Sequence, residues 1–157
     1  REKSADQQVV DWEAQKAAER AARGETRALD GVALGLPALT RAAKLQKRAA
    51  RVGFDWDEPA AVTAKIAEEA AELAEARGTG DTDAMEDELG DLLFTVVNLA
   101  RHLGLDPEAA LRRTNAKVER RFAAVEDGLA ARGASLADAG LDEMEALWQA
   151  AKRAERG

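Results

Sequence analysis

The chain has 157 residues, a single histidine, no cysteine and a formal net charge of −7. Its length is enough for one domain with a sizeable core. The lack of cysteine excludes disulfides, thiolate nucleophiles and cysteine-ligated zinc, and a single histidine excludes most other zinc sites and histidine-rich phosphohydrolase centres. The acidic balance argues against binding to nucleic acid, and no apolar run is long enough to span a membrane, so we expect a cytoplasmic protein.

The predicted elements are helices throughout, because alanine is abundant, charged residues make up a third of the chain and prolines are few. The first helix covers residues 4–23 and ends at Gly24. It is polar, and its bulky apolar residues are Val9, Val10 and Trp12. Residues 1–36 are therefore predicted to form an N-terminal helical arm that either links domains or packs on a partner.

Proline and glycine mark the bounds of the next two helices. Pro37 suits the first turn of a helix that stops near Gly53. Pro59 opens a further helix, which Gly78 and Gly80 close. The sequence between these helices, GFDWDEP, is predicted to be a loop.

The following two helices also have clear start signals. Asp81 or Thr82 caps a helix that runs to about Leu103. Asp106 followed by Pro107 starts another one.

That helix is predicted to end near Gly133, and after a short segment Asp142 caps a last helix, with Glu145 placed as in a capping box. We see no internal repeat and no convincing strand. The fold class predicted for residues 37–157 is therefore all-α: a four-helix bundle, with an N-terminal polar helix before it and an extra C-terminal helix after it.

Two of these helices carry acidic pairs beside their apolar stripes. A stripe of Val62, Ile66, Ala70 and Leu73 has Glu69 at its edge and Glu72 one helical step further round. The next helix has a broad stripe of Leu89, Leu92, Leu93, Val96, Leu99, Ala100 and Leu103. A narrow row beside it contains neither arginine nor lysine, and consists of Glu88, Asp91, Thr95, Asn98 and His102.

These acidic pairs meet if the two helices pack antiparallel. Two carboxylates about 4 Å apart repel by roughly 4 kcal/mol at an effective dielectric constant near 20, so four of them require a cation. Oxygen ligands without sulfur or a second histidine favour Mg²⁺, with Mn²⁺ as the other possibility. The alternative is that they are ordinary surface glutamates. A diiron site is set aside, because the residue three before His102 is Leu99 and not glutamate; His102 is interpreted as a structural or hydrogen-bonding residue.

Basic residues form one flank of the fourth bundle helix: Arg113, Lys117, Arg120 and Arg121. Opposite a carboxylate-bound metal, such a flank would neutralise a triphosphate, although solvation or pairing with glutamate is an equal alternative. Trp148 and Lys152 of the last helix add an indole for stacking on a base and an ammonium group for a phosphate. By themselves they would be a surface anchor and a snorkelling lysine.

These motifs together resemble the all-α nucleoside triphosphate pyrophosphohydrolases, and the MazG family in particular. The resemblance rests on EExxE (Glu68, Glu69, Glu72) followed by ExxD (Glu88, Asp91), on KLQKRAARVGFDW at 44–56, on GDLLFTVVNLARHLG at 90–104 and on NAKVERRF at 115–122. It extends over essentially the whole chain from Trp12. The polar first helix is similar to the segment before the C-terminal catalytic domain of two-domain members.

The resemblance implies Mg²⁺-dependent hydrolysis of a nucleoside triphosphate to a monophosphate and pyrophosphate, and a homodimer or larger homo-oligomer. It implies that Glu69, Glu72, Glu88 and Asp91 ligate the metal and that Glu68 acts on a second metal or on the attacking water. The substrate-binding residues that it implies are Lys65, Asn98, Lys117, Arg120, Arg121, Trp148 and Lys152.

Two functions from different classes remain open at this point. One is the hydrolase, clearing damaged or surplus nucleotides. The other is a metal-dependent nucleotide-binding regulatory module with little turnover. The intact set of acidic residues favours the hydrolase, since a sensor does not need a water-activating carboxylate. A purely structural helical dimer is a third, weaker interpretation.

Overall fold

The computed structural model describes residues 4–157, and within them it contains helices and no strand. The six α-helices are α1 (Ala5–Ala22), α2 (Ala38–Arg51), α3 (Pro59–Thr79), α4 (Thr82–His102), α5 (Pro107–Ala130) and α6 (Leu141–Arg156). A short 3₁₀ helix, Leu136–Asp138, lies between α5 and α6. The all-α prediction is confirmed. Residues 1–3 of the predicted arm lie outside the described residues, and the domain boundary at residue 36 stays a prediction.

The chain divides into two compact units, of which the first ends at Pro107 and the second is Glu108–Gly157. The first unit contains α1 to α4 and buries Val62, Ala76 and Val97. The second contains α5 and α6 and buries Val125 and Leu129. In the part of the chain that the structure describes, no helix has a stretch apolar and long enough to cross a lipid bilayer.

Helices α3 and α4 form a tight hairpin. Gly80 ends α3 with a left-handed backbone at φ +71°, which glycine adopts without steric cost. Asp81 follows at once as the N-cap of α4, and its carboxylate accepts a hydrogen bond of 3.1 Å from the backbone N–H of Ala84. A two-residue connection reverses the chain, so the two helices run antiparallel, which is the condition under which the acidic pairs meet. Gly78, predicted to help close the helix, lies inside α3.

Helix α2 packs on α4 through a buried amide. Gln46 is 6% exposed, and its side-chain Nε2 donates a hydrogen bond of 2.7 Å to the backbone carbonyl of Phe94. Phe94 lies within α4, so the bond joins a side chain of one helix to the backbone of the other. It fixes the rotation of α2 against α4.

The predicted cap of α6 is wrong. Gly140, with an extended backbone, is the N-cap, and no side chain caps this helix. Asp142 lies in the first turn, where its charge interacts favourably with the helix dipole but its backbone is already helical. Glu145 therefore has no N-cap side chain with which to form a capping box.

The predicted apolar stripes are also wrong in part. Leu89, Leu93 and Val96 of α4, and Leu103 directly after it, are between 44% and 54% exposed. Thr95 and Asn98, from the polar row, are buried instead. On α3, Ala70 is exposed. The reason is that α3 and α4 pack through the faces that carry their polar residues, which leaves the larger apolar side chains of α4 outside.

Candidate metal and nucleotide site

Three carboxylates converge at the middle of the α3–α4 hairpin. One oxygen from each of Glu69, Glu88 and Asp91 lies within 4.8 Å of the other two. Glu69 is 6% exposed, Glu88 is half-buried and Asp91 is exposed. A buried carboxylate beside two others is costly unless a positive charge compensates it. The group therefore differs from a solvated acidic surface.

The carboxylates of this cluster have free acceptor capacity. The Oε2 atoms of Glu69 and Glu88 are buried and have no hydrogen-bond partner. Glu72 lies beside them: the negative charge of Glu69, burial, and the charge and hydrogen bonding of Glu88 raise the pKa of the Glu72 carboxyl group. Oxygen donors of this kind fit a hard divalent cation. We name these four residues, Glu69, Glu72, Glu88 and Asp91, the acidic cluster.

Lys65 supplies the positive charge next to this cluster. Its Nζ lies 3.0 Å from Oε1 of Glu68 and 3.1 Å from Oε1 of Glu69. These carboxylates raise the pKa of Lys65, Glu68 most strongly, so the lysine is firmly protonated. Glu68 is the more exposed of the two carboxylates. Lys65 and Glu68, both predicted site residues, thus lie at the border of the acidic cluster.

Asn98 is part of a polar network at the C-terminal end of α4. Its Oδ1 accepts a hydrogen bond of 2.8 Å from Arg101. Arg101 also pairs with Asp55 of the loop between α2 and α3, and His102 Nε2 lies 2.9 Å from the same Asp55 oxygen. Hydrogen bonds from Arg101 and then His102 lower the pKa of Asp55 against the opposing effect of burial. The network ties the loop to α4, and His102 has the hydrogen-bonding role expected of it.

Sequence reasoning missed a cavity of about 230 Å³ beneath this loop. Trp56 and Phe94 contribute to its apolar lining. Gln46 and Asn98 also line it, and each has one buried side-chain atom without a partner, Oε1 of Gln46 and Nδ2 of Asn98. The only sequence signal was the placement of a glutamine on the inner face of an otherwise basic helix.

The second unit holds the predicted basic flank, and two of its arginines are already paired. Nε of Arg120 and Nε of Arg121 each lie 2.9 Å from a carboxylate oxygen of Glu155 on α6. Hydrogen bonds from Arg121 and Arg120 lower the pKa of Glu155. Lys117 and Lys152 are half-buried and, among residues 4–157, have no ion-pair partner. Pairing with glutamate was one of the two alternatives predicted for this flank, but Glu155 was not identified as the partner.

Trp148 lines an apolar groove of about 450 Å³ within the second unit. The guanidinium carbon of Arg121 lies 5.7 Å from the centroid of its ring, close enough for a cation–π interaction. Phe122 and Leu141 also line the groove. The ring is therefore held in place on one side and borders open space on the other.

Comparison with known proteins agrees with these observations. Residues 57–125, which include all of α3 and α4 and most of α5, match the model of the MazG nucleotide pyrophosphohydrolase domain. A nucleoside triphosphate pyrophosphohydrolase of Escherichia coli is 49% identical over 92% of this chain and 56% of its own length. A nucleoside triphosphate pyrophosphohydrolase/pyrophosphatase MazG of Thermotoga maritima is 40% identical over 90% of this chain and 54% of its own length.

A third relative, the uncharacterized protein YabN of Bacillus subtilis, is 42% identical over 94% of this chain but only 30% of its own length. The chain thus spans about half the length of the first two relatives. The domain match includes every residue of the acidic cluster, and the similarity to these relatives extends over nine-tenths of the chain. Residues 57–125 are therefore similar to a MazG nucleotide pyrophosphohydrolase domain.

Proposed function

We propose that this protein hydrolyses nucleoside triphosphates, ribo- or deoxyribonucleotides, to a nucleoside monophosphate and pyrophosphate, and so removes damaged or surplus nucleotides. The observation that carries the proposal is the acidic cluster, where buried carboxylate oxygens without partners converge. The MazG domain match and the names of the relatives support the same reaction.

A divalent cation, Mg²⁺ or Mn²⁺, fits the acidic cluster best. We propose that Glu69, Glu72, Glu88 and Asp91 hold it. The donor set is all oxygen, and the raised pKa of Glu72 reports a local excess of negative charge that such an ion would relieve. When bound, the ion would supply Lewis-acid stabilisation of the phosphate oxygens.

Glu68 and Lys65 complete this end of the site in the proposal. Glu68 lies at the border of the acidic cluster and its side chain is exposed. It would orient the attacking water and accept its proton. The ammonium group of Lys65 would hold a phosphate oxygen through a charge-assisted hydrogen bond. The buried Asn98 would contribute a side-chain amide to nucleotide binding, through the Nδ2 that has no partner.

We also propose nucleotide-binding roles for residues of the second unit. Lys117, Arg120, Arg121 and Lys152 would neutralise phosphates, and Trp148 would stack on the base. For Arg120 and Arg121 this requires an exchange of partners, because both now pair with Glu155. The exchange replaces one carboxylate by a phosphate group with more charge, which favours the nucleotide.

We also propose that the protein forms a homodimer. Leu89, Leu93 and Val96 lie on one face of α4 at helical spacing, Leu103 directly follows the helix, and all four are about half exposed. A contiguous apolar face of this kind is typical of an interface between subunits. Light scattering after gel filtration tests this: the wild type should be a dimer, and Leu93→Glu should shift it to monomer. A wild type that is monomeric at tens of micromolar would contradict the proposal.

The hydrolase proposal is tested with a panel of natural and oxidised NTPs and dNTPs in the presence of Mg²⁺, scored for pyrophosphate and for phosphate separately. Glu72→Gln and Asp91→Asn should abolish pyrophosphate release, because each removes a ligand charge at nearly constant volume. Asp87→Asn is the matched control, since it makes the same charge change on an exposed part of α4. If the wild type binds nucleotides but releases no pyrophosphate, the proposal is wrong.

A further inference from the structure

A second charged cleft lies in the first unit, between α1, α2 and the connection that joins them. It has a volume of about 350 Å³, within the range of about 300–1,000 Å³ typical of small-molecule sites. Six of the residues that line it are cationic, and none of the lining residues, all within the described part of the chain, is acidic. The cations are Lys16, Arg20, Lys44, Lys47, Arg48 and Arg51. We name this feature the basic cleft.

This concentration of positive charge is unexpected in a chain of net charge −7. Carboxylates compensate it only in part. Lys16 pairs with Glu19 at 3.1 Å, and Arg51 lies 3.7 Å from Glu13, near the limit for an ion pair. Within residues 4–157, no acidic side chain pairs with Arg20, Lys44 or Lys47. The cleft therefore keeps several uncompensated charges.

Arg48 shows the effect of this crowding. Its guanidinium donates a hydrogen bond of 2.8 Å to the backbone carbonyl of Asp30, a neutral acceptor. Burial lowers the pKa of Arg48, and the charges of Arg20 and Arg51 lower it further, against a smaller opposing effect of Glu25. An anion placed among the guanidinium groups of Arg20, Arg48 and Arg51 would stabilise the charged form of Arg48.

Trp12 is at the same cleft and adds an aromatic surface. The guanidinium carbon of Arg51 lies 5.5 Å from the centroid of its ring. The indole is 49% exposed, so half of its surface is available to a ligand. Helix α1 has no buried residue, and the contact of Trp12 with Arg51 therefore helps to define where α1 lies along α2.

We propose that the basic cleft binds a small anion with two or more linked phosphoryl groups, at a site made of different residues from the acidic cluster. The six cations line one cleft of small-ligand volume, so a compact and multiply charged anion fits better than an extended acidic peptide. Guanidinium groups form bidentate hydrogen bonds with phosphate oxygens. Free pyrophosphate and the phosphate chain of a nucleotide share this chemistry, and Trp12 would favour the nucleotide.

The experiment is calorimetric titration of the 157-residue chain in EDTA, so that no divalent cation can recruit phosphates to the acidic cluster. The probes are inorganic pyrophosphate, monophosphate and ADP. We expect saturable binding of pyrophosphate, at least tenfold tighter than that of monophosphate. If ADP binds more tightly than pyrophosphate, and Trp12→Leu removes this difference, the ligand is a nucleotide. If the two bind with equal affinity, the ligand is the free anion.

Two double variants with the same charge change decide where the anion binds. Lys44→Gln with Lys47→Gln should weaken pyrophosphate binding at least tenfold, because two charge-assisted contacts are lost. Arg77→Gln with Arg153→Gln, both exposed and neither among the residues that line the cleft, should leave pyrophosphate binding unchanged. Helical circular dichroism confirms folding of each variant.

Three results would overturn the proposal. The first is no pyrophosphate binding by the wild type, and the second is equal weakening by both double variants. The third is tighter binding of a polyglutamate peptide than of pyrophosphate, lost in the lysine variant, which would make the cleft a docking site for an acidic protein segment. None of these results bears on whether pyrophosphate is released in the presence of Mg²⁺, so the two proposals fail separately.

Discussion

A divalent cation should stabilise the folded protein through the acidic cluster. Mg²⁺ at one hundred times its Kd, bound to the folded state only, adds about 2.7 kcal/mol to the free energy of unfolding. For a chain of this size that corresponds to a rise of about 5–10 °C in Tm. The structure supplies the reason: carboxylate oxygens converge within 4.8 Å of each other, and their neighbouring counterion is the ammonium group of Lys65, 3.1 Å from Oε1 of Glu69.

Asp91→Asn separates the two effects of charge in this cluster. At 4.8 Å, two unit charges repel by about 3.5 kcal/mol at an effective dielectric constant of about 20. Asp91 is exposed, so solvent screens most of this, and we expect a gain of less than about 1 kcal/mol in the metal-free variant. The variant should therefore melt higher than wild type in EDTA and gain less from Mg²⁺.

The assay is thermal unfolding in EDTA, in Mg²⁺ and in NaCl of equal ionic strength, with Asp87→Asn as the matched control. Wild type and Asp87→Asn should both respond to Mg²⁺ more than to NaCl. Equal responses to Mg²⁺ and NaCl would mean that any salt screens the cluster and that no ion is bound. An identical Mg²⁺ response in Asp91→Asn and Asp87→Asn would remove Asp91 from the metal site.

Three further predictions concern other parts of the chain. Lys117→Ala should lower kcat/KM about tenfold to a hundredfold at unchanged Tm, since a charged hydrogen bond to phosphate contributes roughly 1.5–3 kcal/mol; wild-type kinetics with every active nucleotide would contradict this. Gly90→Ala should stabilise the protein by about 1 kcal/mol, because a new Cβ there meets nothing within 4 Å. Gly128→Ala should stabilise it less, because its Cβ would lie 2.7 Å from the Leu147 side chain. Equal gains in the free energy of unfolding in urea would refute this difference. The folded state lowers the pKa of Asp55, so its stabilisation is present above the ordinary carboxyl pKa and is lost as pH falls through the lowered value; urea unfolding between pH 7 and pH 2 should show a shallower acid loss in Asp55→Asn, and identical slopes would exclude this contribution.

Local signals were enough to predict the helices. Pro59 and Gly80 bound α3, and Asp81 caps α4, because each acts through its own backbone preferences and needs no tertiary partner. Asp142 was wrongly predicted as the cap of α6, because the N-cap is the residue at which the chain passes from an extended to a helical conformation. Here that happens at Gly140.

The faces of the helices were harder to predict than their ends. The apolar stripe of α4 was expected to be buried, yet Leu93 and Val96 are among its exposed residues. The sequence of one helix shows which of its sides is apolar. It does not distinguish packing within the chain from packing on another subunit. Glu69 was placed at the edge of the stripe on α3 and lies at its buried centre. Pairings such as that of Arg121 with Glu155 join residues 34 apart and leave no periodic trace in the sequence.

All four residues of the acidic cluster come from one helical hairpin with a two-residue connection. Contacts between neighbours in sequence form early and fast in folding, because little loop-closure entropy opposes them. The carboxylates are therefore brought together in the same local event that closes α3 on α4. Their mutual repulsion acts on the folding barrier as well as on the final stability. A charge-neutralising change in this hairpin should accelerate folding, while a change of equal size in α6 should act mainly on unfolding.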